Sequence, residues 1–250
     1  MTTDTFDELP DCPPPLSVPR SALTIGAHPD DAEFGAGATL ARWASQGCEV
    51  TILVVTDGSK GSWNPDEDRA GLIARRVAEQ ESAAAKLGAL RTIHLGEIDG
   101  ELEYSYALRV AVARNIRECT PQVVLSHDPW QRYQLHPDHR ATGLAAVDGV
   151  VSAREPLAMT DSGLPAHRPD AILLWSADQP DHAEPVTDEW EAVKIDALLC
   201  HSSQGETTMG DAQSGDGQRS VFVERIRSWH RSGGAAFGLG PSEIFKRLTP

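Results

Sequence analysis

Apolar residues in this chain come in short runs separated by amphipathic stretches. Residues 22–27 and 50–56 are near-continuous apolar or β-branched runs, the pattern of strands buried on both faces. Residues 92–95, 123–126 and 171–175 repeat the pattern in shorter form. Between the runs, apolar positions recur at helical spacing. Leu40, Trp43 and Ala44 do so within residues 35–46, and Leu108, Val112 and Ile116 within residues 105–118. Residues 69–87, 139–153 and 187–200 read as further helices. Gly47 and Gly88 are natural stops for two of these helices, and Pro121 breaks a third. Phe222, Ile226 and Trp229 mark a late helix, and residues 241–248 read as a short one. Residues 205–217, rich in Gly, Ser and Asp, read as a mobile segment. Residues 1–20, with Cys12-Pro13-Pro14-Pro15, read as an arm without regular structure.

Strands that alternate with helices predict a mostly parallel sheet covered on both faces. The expected fold is an α/β three-layer sandwich of Rossmann-like type, one domain over residues 21–250. Trp43, Trp175, Trp190 and Trp229 fall in helix or strand patterns and are expected in the core.

Composition narrows the function more than the fold. With 40% hydrophobic and 24% charged residues among 250, the chain resembles an ordinary globular domain. No apolar run approaches the ~20 residues of a membrane helix. Residues 1–16 are acidic and Pro-rich, unlike a signal or transit peptide, so a cytoplasmic location is expected. Cys12, Cys48, Cys119 and Cys200 are scattered, giving neither a zinc ribbon nor a disulfide framework. The formal charge of −15 argues against nucleic acid and anionic lipid as partners. The acidity concentrates in residues 4–11, 65–68 and 178–191, a solvated surface by the plainest reading. A homo-oligomer is compatible with the sequence, which does not specify one.

Ligands of an open parallel sheet bind beyond the carboxyl ends of its strands. Two clusters fall there. Ala27-His28-Pro29-Asp30-Asp31 follows the first strand, and His136-Pro137-Asp138-His139 lies between the fourth strand and a helix. If those strands are neighbours, the clusters face each other. Imidazole and carboxylate are zinc ligands, and a catalytic site uses three of them plus water. His28 and Asp31, on one turn, can share an ion, and a histidine of the second cluster adds a third ligand. Spacing does not say whether that is His136 or His139. Asp30, beside the metal, is left as the base for a water acidified to pKa ~7. Against this, a lone His-Pro-Asp is most often a turn, and Asp138 read by itself is a helix cap. Two such tripeptides, each at a strand-to-helix junction, shift the balance to a metal site.

The two motifs resemble the signature pair of the LmbE/PIG-L deacetylases, zinc-dependent enzymes that hydrolyse N-acetyl groups on glucosamine-containing molecules. The resemblance runs over about residues 22–143 and is weaker to Gln204. Thr56-Asp57-Gly58, Arg76-Val77-Ala78-Glu79, Ala84-Ala85-Lys86-Leu87-Gly88 and His201-Ser202-Ser203-Gln204 are also similar to the family. It implies His28, Asp31 and His139 as Zn2+ ligands and Asp30 as the general base that later protonates the leaving amine. It implies His136 as an imidazolium that stabilises the oxyanion. Arg76, Asp128 and Tyr133 are the implied substrate contacts, with Tyr133 at a spacing from His136 that varies in the family. The implied partner is a small-molecule N-acyl amino sugar. Iron, cobalt or nickel also suit a His₂Asp set. Trp63 and Trp130, in loops near the presumed site, are candidates to stack on a sugar. The remaining histidines lack paired spacing and are expected to be structural, with His127, next to Asp128, the one to watch.

Three rival readings are weaker. Gly35-Ala36-Gly37 is similar to part of a phosphate loop but lacks its third glycine. Asp57-Gly58-Ser59-Lys60-Gly61 lacks the first glycine of a nucleophile elbow. A metal-binding protein without catalysis is disfavoured because Asp30 accompanies the three ligands. The loops expected to choose the substrate are residues 61–68, 129–135, 177–185 and 205–217.

Overall fold

Five strands run parallel at the centre of the molecule, and two further strands, far apart in the chain, extend the sheet at one edge. The computed structural model describes residues 13–212 and 214–250. The elements in chain order are β1 (Ser21–Gly26), α1 (Asp31–Ser45), β2 (Glu49–Thr56), α2 (Arg69–Leu87), β3 (Arg91–Glu97) and α3 (Tyr106–Cys119). They continue with β4 (Val123–His127), α4 (Pro137–Arg154), β5 (Ala171–Trp175), β6 (His182–Pro185), α5 (Asp188–Leu198), α6 (Asp216–Ala235) and β7 (Ser242–Leu248). The sheet order is β3-β2-β1-β4-β5-β7-β6, with β7 antiparallel to both its neighbours. This is the three-layer α/β arrangement expected from the alternation of runs. α1, α2 and α5 pack together on one face, and α3 pairs with α4 on the other.

Alternation along each strand divides the core in two. Val50, Ile52 and Val54 of β2 join Trp43 under α1, whereas Leu53 and Val55 join Leu108, Val112 and Ile116 under α3 and α4. Helix ends follow their local chemistry. Gly88, at φ 75°, closes α2 in the left-handed conformation that a residue without Cβ adopts at least cost. Ser105 accepts from Leu108 N–H and caps α3.

Strand order reverses between β1 and β4, which pair directly. The segments after these two strands carry the two His-Pro-Asp motifs, so the motifs face each other at the crevice such a switch creates.

The structure corrects four expectations. Residues 241–248 form strand β7, not a helix, because alternate residues Glu243 and Phe245 point into the interior between β5 and β6. Residues 177–185 are not all loop: β6 pairs with β7 and buries His182 and Glu184, which bond each other. Trp229 is 50% exposed rather than in the core. The segment 205–217 is anchored, since Met209 and Ala212 are buried with Phe222 and Ile226 of α6. Of the arm, residues 1–12 lie outside the described residues. Residues 13–19 have no regular structure, yet Leu16 and Val18 pack on the core and Leu16 N–H donates to Glu184. Among the described residues no helix is long and apolar enough to cross a membrane.

Candidate active site

The turn after β1 is built by its own backbone and by helix α2. His28 N–H donates to Asp31 Oδ2 at 2.7 Å, closing the turn. Asp30 sits at φ 105°, a conformation that costs a non-glycine residue on the order of 1–3 kcal/mol. Two buried side chains of α2, one turn apart, hold it there. Gln80 Oε1 accepts from Asp30 N–H at 3.0 Å, and Arg76 donates to Pro29 O at 2.6 Å. Arg76 also donates to Gly58 O, and its guanidinium lies 3.7 Å from the Asp30 carboxylate.

Two ring nitrogens and the two oxygens of one carboxylate converge above this turn. His28 Nδ1 lies 3.4 Å from Asp31 Oδ2 and 3.2 Å from His139 Nε2, and His139 Nε2 lies 3.4 Å from Asp31 Oδ1. Ligands about 2.0–2.1 Å from a tetrahedral ion are separated by about 3.3–3.4 Å, so the two nitrogens, each beside a different Asp31 oxygen, stand at the spacing of such ligands. His136 and His127 also lie within reach of this cluster.

A second layer fixes the ring orientations. His28 Nε2 contacts Asp138 Oδ2 at 3.1 Å and Asp99 Oδ1 at 3.2 Å, which commits its proton to that side and leaves Nδ1 as the donor. Asp138 is fully buried and accepts from Gly100 N–H, so it does not cap α4; the His136 ring does, taking Asp138 N–H at Nδ1. Trp175 Nε1–H can only donate, so His127 Nδ1 accepts it, while His127 Nε2 lies 3.1 Å from Asp31 Oδ2 and 3.3 Å from Ala27 N–H.

Burial and neighbours set the charges. Burial pushes the Asp30 carboxyl up to about 6, against the pull of Arg76. Burial acts upward on Asp31 too, but His139 and His127 beside it hold it well below the usual carboxylate range. Burial pushes His139 down to about 4, leaving a neutral ring with a free lone pair. Burial also lowers His136, helped by His28. His28 is instead held well above its ordinary value, because Asp138, Asp31 and Asp99 outweigh its burial.

A cavity of about 750 Å³ opens over these groups, walled by Phe34, Trp63, Trp175, Trp229 and Arg225. Of the residues named from sequence, His28, Asp30, Asp31, Arg76, His136 and His139 all line it. Arg76, only 3% exposed, faces it from behind Asp30. Asp128 and Tyr133 are not in its lining. The Asp128 carboxylate accepts Trp130 N–H within its own turn, and Tyr133 is 86% exposed. Trp130 is likewise outside the lining, whereas Trp63 is in it.

Sequence reasoning missed Asp99, Gln80 and Thr208, and gave Asp138 no role beyond a cap read in isolation. Asp99 had a usable signal, an acidic residue just past the carboxyl end of β3, and Gln80 had another, four residues after Arg76 on one helix face. Thr208, which donates to Asp30 Oδ2 at 3.3 Å, had none. The two glycines of the supposed phosphate loop lie inside α1. A Cβ on Gly35 would come within 2.4 Å of the Trp175 ring, and one on Gly37 within 2.9 Å of Lys194. Close helix packing accounts for both. Among the described residues no hydrogen bond joins the Ser59 hydroxyl to a histidine.

Comparison with known proteins brings the same region forward. The family model PIG-L, described as GlcNAc-PI de-N-acetylase, matches residues 23–150. A diacetylchitobiose deacetylase of Thermococcus kodakarensis is 33% identical over 193 residues, 76% of this chain and 72% of that protein. A 1D-myo-inositol 2-acetamido-2-deoxy-alpha-D-glucopyranoside deacetylase of Kineococcus radiotolerans is 33% identical over 54% of this chain; the match spans only 48% of that protein. Among solved structures, the N,N'-diacetylchitobiose deacetylase of Pyrococcus horikoshii superposes with a TM-score of 0.82 at 29% identity, over 92% of this chain and 84% of that one.

Proposed function

The chain belongs to the PIG-L family, and from that premise we propose that it is a zinc-dependent hydrolase of N-acyl amino sugars, acetyl being the acyl group removed. The observation that carries the reading is the convergence of His28 Nδ1, His139 Nε2 and the Asp31 carboxylate, with Asp30 lining the same cavity. The nitrogen and carboxylate donors suit zinc, and the same set accommodates iron or cobalt. The substrate class comes from the relatives, which are named as deacetylases of diacetylchitobiose and of an acetamido-glucopyranosyl inositol.

The proposed roles divide the chemistry among this chain's side chains. His28, Asp31 and His139 hold the ion, which when bound supplies Lewis acidity and water acidified to a pKa of ~7. Asp30 accepts the proton of the attacking water as the C–O bond forms. Its position against Gln80, Arg76 and Thr208 keeps the carboxylate aimed across the cavity floor. As the C–N bond breaks, Asp30 returns that proton to the departing amine, leaving acetate and a free amino sugar. His136, whose Nδ1 is occupied by Asp138 N–H, offers an Nε2–H to the developing oxyanion. This arrangement favours a neutral imidazole over the imidazolium that the family resemblance suggested. Arg76 acts from behind, on the turn and on Asp30.

The test pairs metal content with amine release from N-acetylglucosaminides. Wild-type protein should hold about one zinc per chain and release amine. Asp30→Asn should keep the metal and lose at least ~10²-fold in kcat, the usual size of a general-base contribution. His139→Ala should lose the metal itself. Retention of full activity by Asp30→Asn rejects its role, and a metal-free active wild type rejects the whole reading.

A further inference from the structure

Asp30 occupies the N-cap of α1, and its carbonyl accepts the helix bond from Phe34 N–H. An aspartate in that position ordinarily turns its carboxylate back onto the N–H groups of the first turn. Asp30 makes no such bond. At φ 105° its side chain goes to Arg76 and Thr208 at the cavity instead. Glu33, three residues on, stands where a Glu side chain ordinarily reaches back to the N–H of the capping residue. Here the reach is indirect, because Gln80 of α2 lies between the two. Its Oε1 accepts from Asp30 N–H at 3.0 Å, and its Nε2 donates to Glu33 Oε1 at 2.7 Å.

The amide in the middle has one end that donates and one that accepts. A carboxylate offers acceptors alone, so Glu33 draws the NH2 end and leaves the carbonyl end for Asp30 N–H. Without Glu33 the amide is free to turn over, and its NH2 then faces a second donor. Glu33 and Gln80 are both fully buried and neither lines the cavity, so they act on Asp30 and not on a substrate. His201, also fully buried, faces the carboxylate oxygen that Gln80 leaves free, with Nε2 3.8 Å from Glu33 Oε2. Neither of those two atoms has a hydrogen-bond partner among the described residues.

We propose that Glu33 is a positioning residue: by fixing the sense of the Gln80 amide it holds the Asp30 backbone in the left-handed conformation, which frees the Asp30 carboxylate from the helix end to serve as the base. The kinetic consequence rests on the deacetylase reading, whereas the conformational one does not. A strained residue relaxes when what holds it is removed, and strain of this size corresponds to roughly 10–100-fold in the population of the aimed conformer.

The experiment compares Glu33→Met, Gln80→Met, the double variant and Glu33→Gln with the wild type. Each Met variant should lower kcat at least about tenfold with KM and zinc content unchanged. Because Glu33 acts through Gln80, the double variant should fall no further than Gln80→Met alone. Glu33→Gln should recover most of the activity, since its carbonyl can face Gln80 while its NH2 faces the His201 ring. Losses that multiply in the double variant, or a Glu33→Gln as impaired as Glu33→Met, overturn the proposal. If a single Met variant does not fold, the double leaves neither half of the pair unmatched, and full kcat there rejects the role of the pair. A second measurement is independent of the reaction: exchange of the Asp30 amide hydrogen, followed by NMR. It should speed up at least about tenfold in Glu33→Met and stay at the wild-type rate in Glu33→Gln, with the amides of β2 unchanged in both. That result supports the proposal even if no amine is ever released, the outcome that would sink the deacetylase reading alone. An Asp30 amide as protected in Glu33→Met as in the wild type rejects the proposal whatever the activity.

Discussion

The two nitrogens of His28 have different work, and the division depends on residues that hold no metal themselves. Nδ1 faces Asp31 and His139, while Nε2 is held between Asp138 and Asp99. The paired carboxylates make the ring more basic and fix its tilt, which strengthens it as a ligand. Replacing Asp138 with Asn keeps the shape and removes the charge. Asp138→Asn should therefore bind zinc about tenfold more weakly, at the low end for outer-layer substitutions, as read by competition with a chromogenic chelator. An unchanged affinity would reduce Asp138 to packing. The sequence showed Asp138 plainly but offered it only the plain reading of a cap, because a carboxylate after His-Pro is indistinguishable from one until its partner 110 residues away is known.

At the scale of elements, the turn at residues 201–204 shows how the chain brings its C-terminal half to the site. Glu79, buried on α2, accepts from Ser202 Oγ, Ser203 N–H and Ser203 Oγ at 2.6–2.8 Å. That fixes Gln204, whose amide donates to Gly61 O and so joins the loop after β2 to the segment bearing Thr208. Hydrogen bonds to a charged acceptor are each worth about 1.5–3 kcal/mol, so Glu79→Ala should lower unfolding free energy by at least ~2 kcal/mol. It should also raise KM as the wall loosens, with zinc content unchanged. Denaturant titration and steady-state kinetics check the two parts. Loss of zinc instead would place Glu79 in the metal's support. The parallel core was legible because buried strands and amphipathic helices have different periods; α2 and β5 match their expected ranges. Strand β6 was not, since its inward residues His182 and Glu184 satisfy each other and carry no apolar signal. Trp229 was misjudged for the converse reason. It stands at helical spacing with Phe222 and Ile226, but the face it continues borders a cavity and not the core.

Across the whole molecule, one buried ionic cluster ties the last strand to three helices, and no sequence pattern announces it. Glu243 of β7 accepts from Ala38 and Thr39 N–H of α1 and from Lys194 Nζ of α5, and lies 3.9 Å from His230 of α6. Lys194 also donates to Phe34 O, so the cluster underlies the aromatic wall. Burial pushes the Glu243 carboxyl up, but Lys194 and His230 overcome it and hold the group below its ordinary value. Burial and Lys194 hold His230 below its ordinary value as well. Both shifts have one sign for stability: the unfolded chain binds more protons than the folded one, so stability rises with pH. The Glu243 contribution is complete above the unfolded carboxyl pKa of ~4.3 and is lost as pH falls through the lower folded value. That of His230 fades earlier, from ~6.5 downward. Glu243→Gln leaves the Lys194 ammonium buried without its counter-charge, which costs about 3–5 kcal/mol. Denaturation midpoints should thus fall for the wild type first from ~6.5 downward and again below ~4.3, while Glu243→Gln starts lower and falls less below ~4.3. Parallel curves for the two proteins would remove Glu243 from the acid response and leave the decline to the carboxylates and histidines around His28.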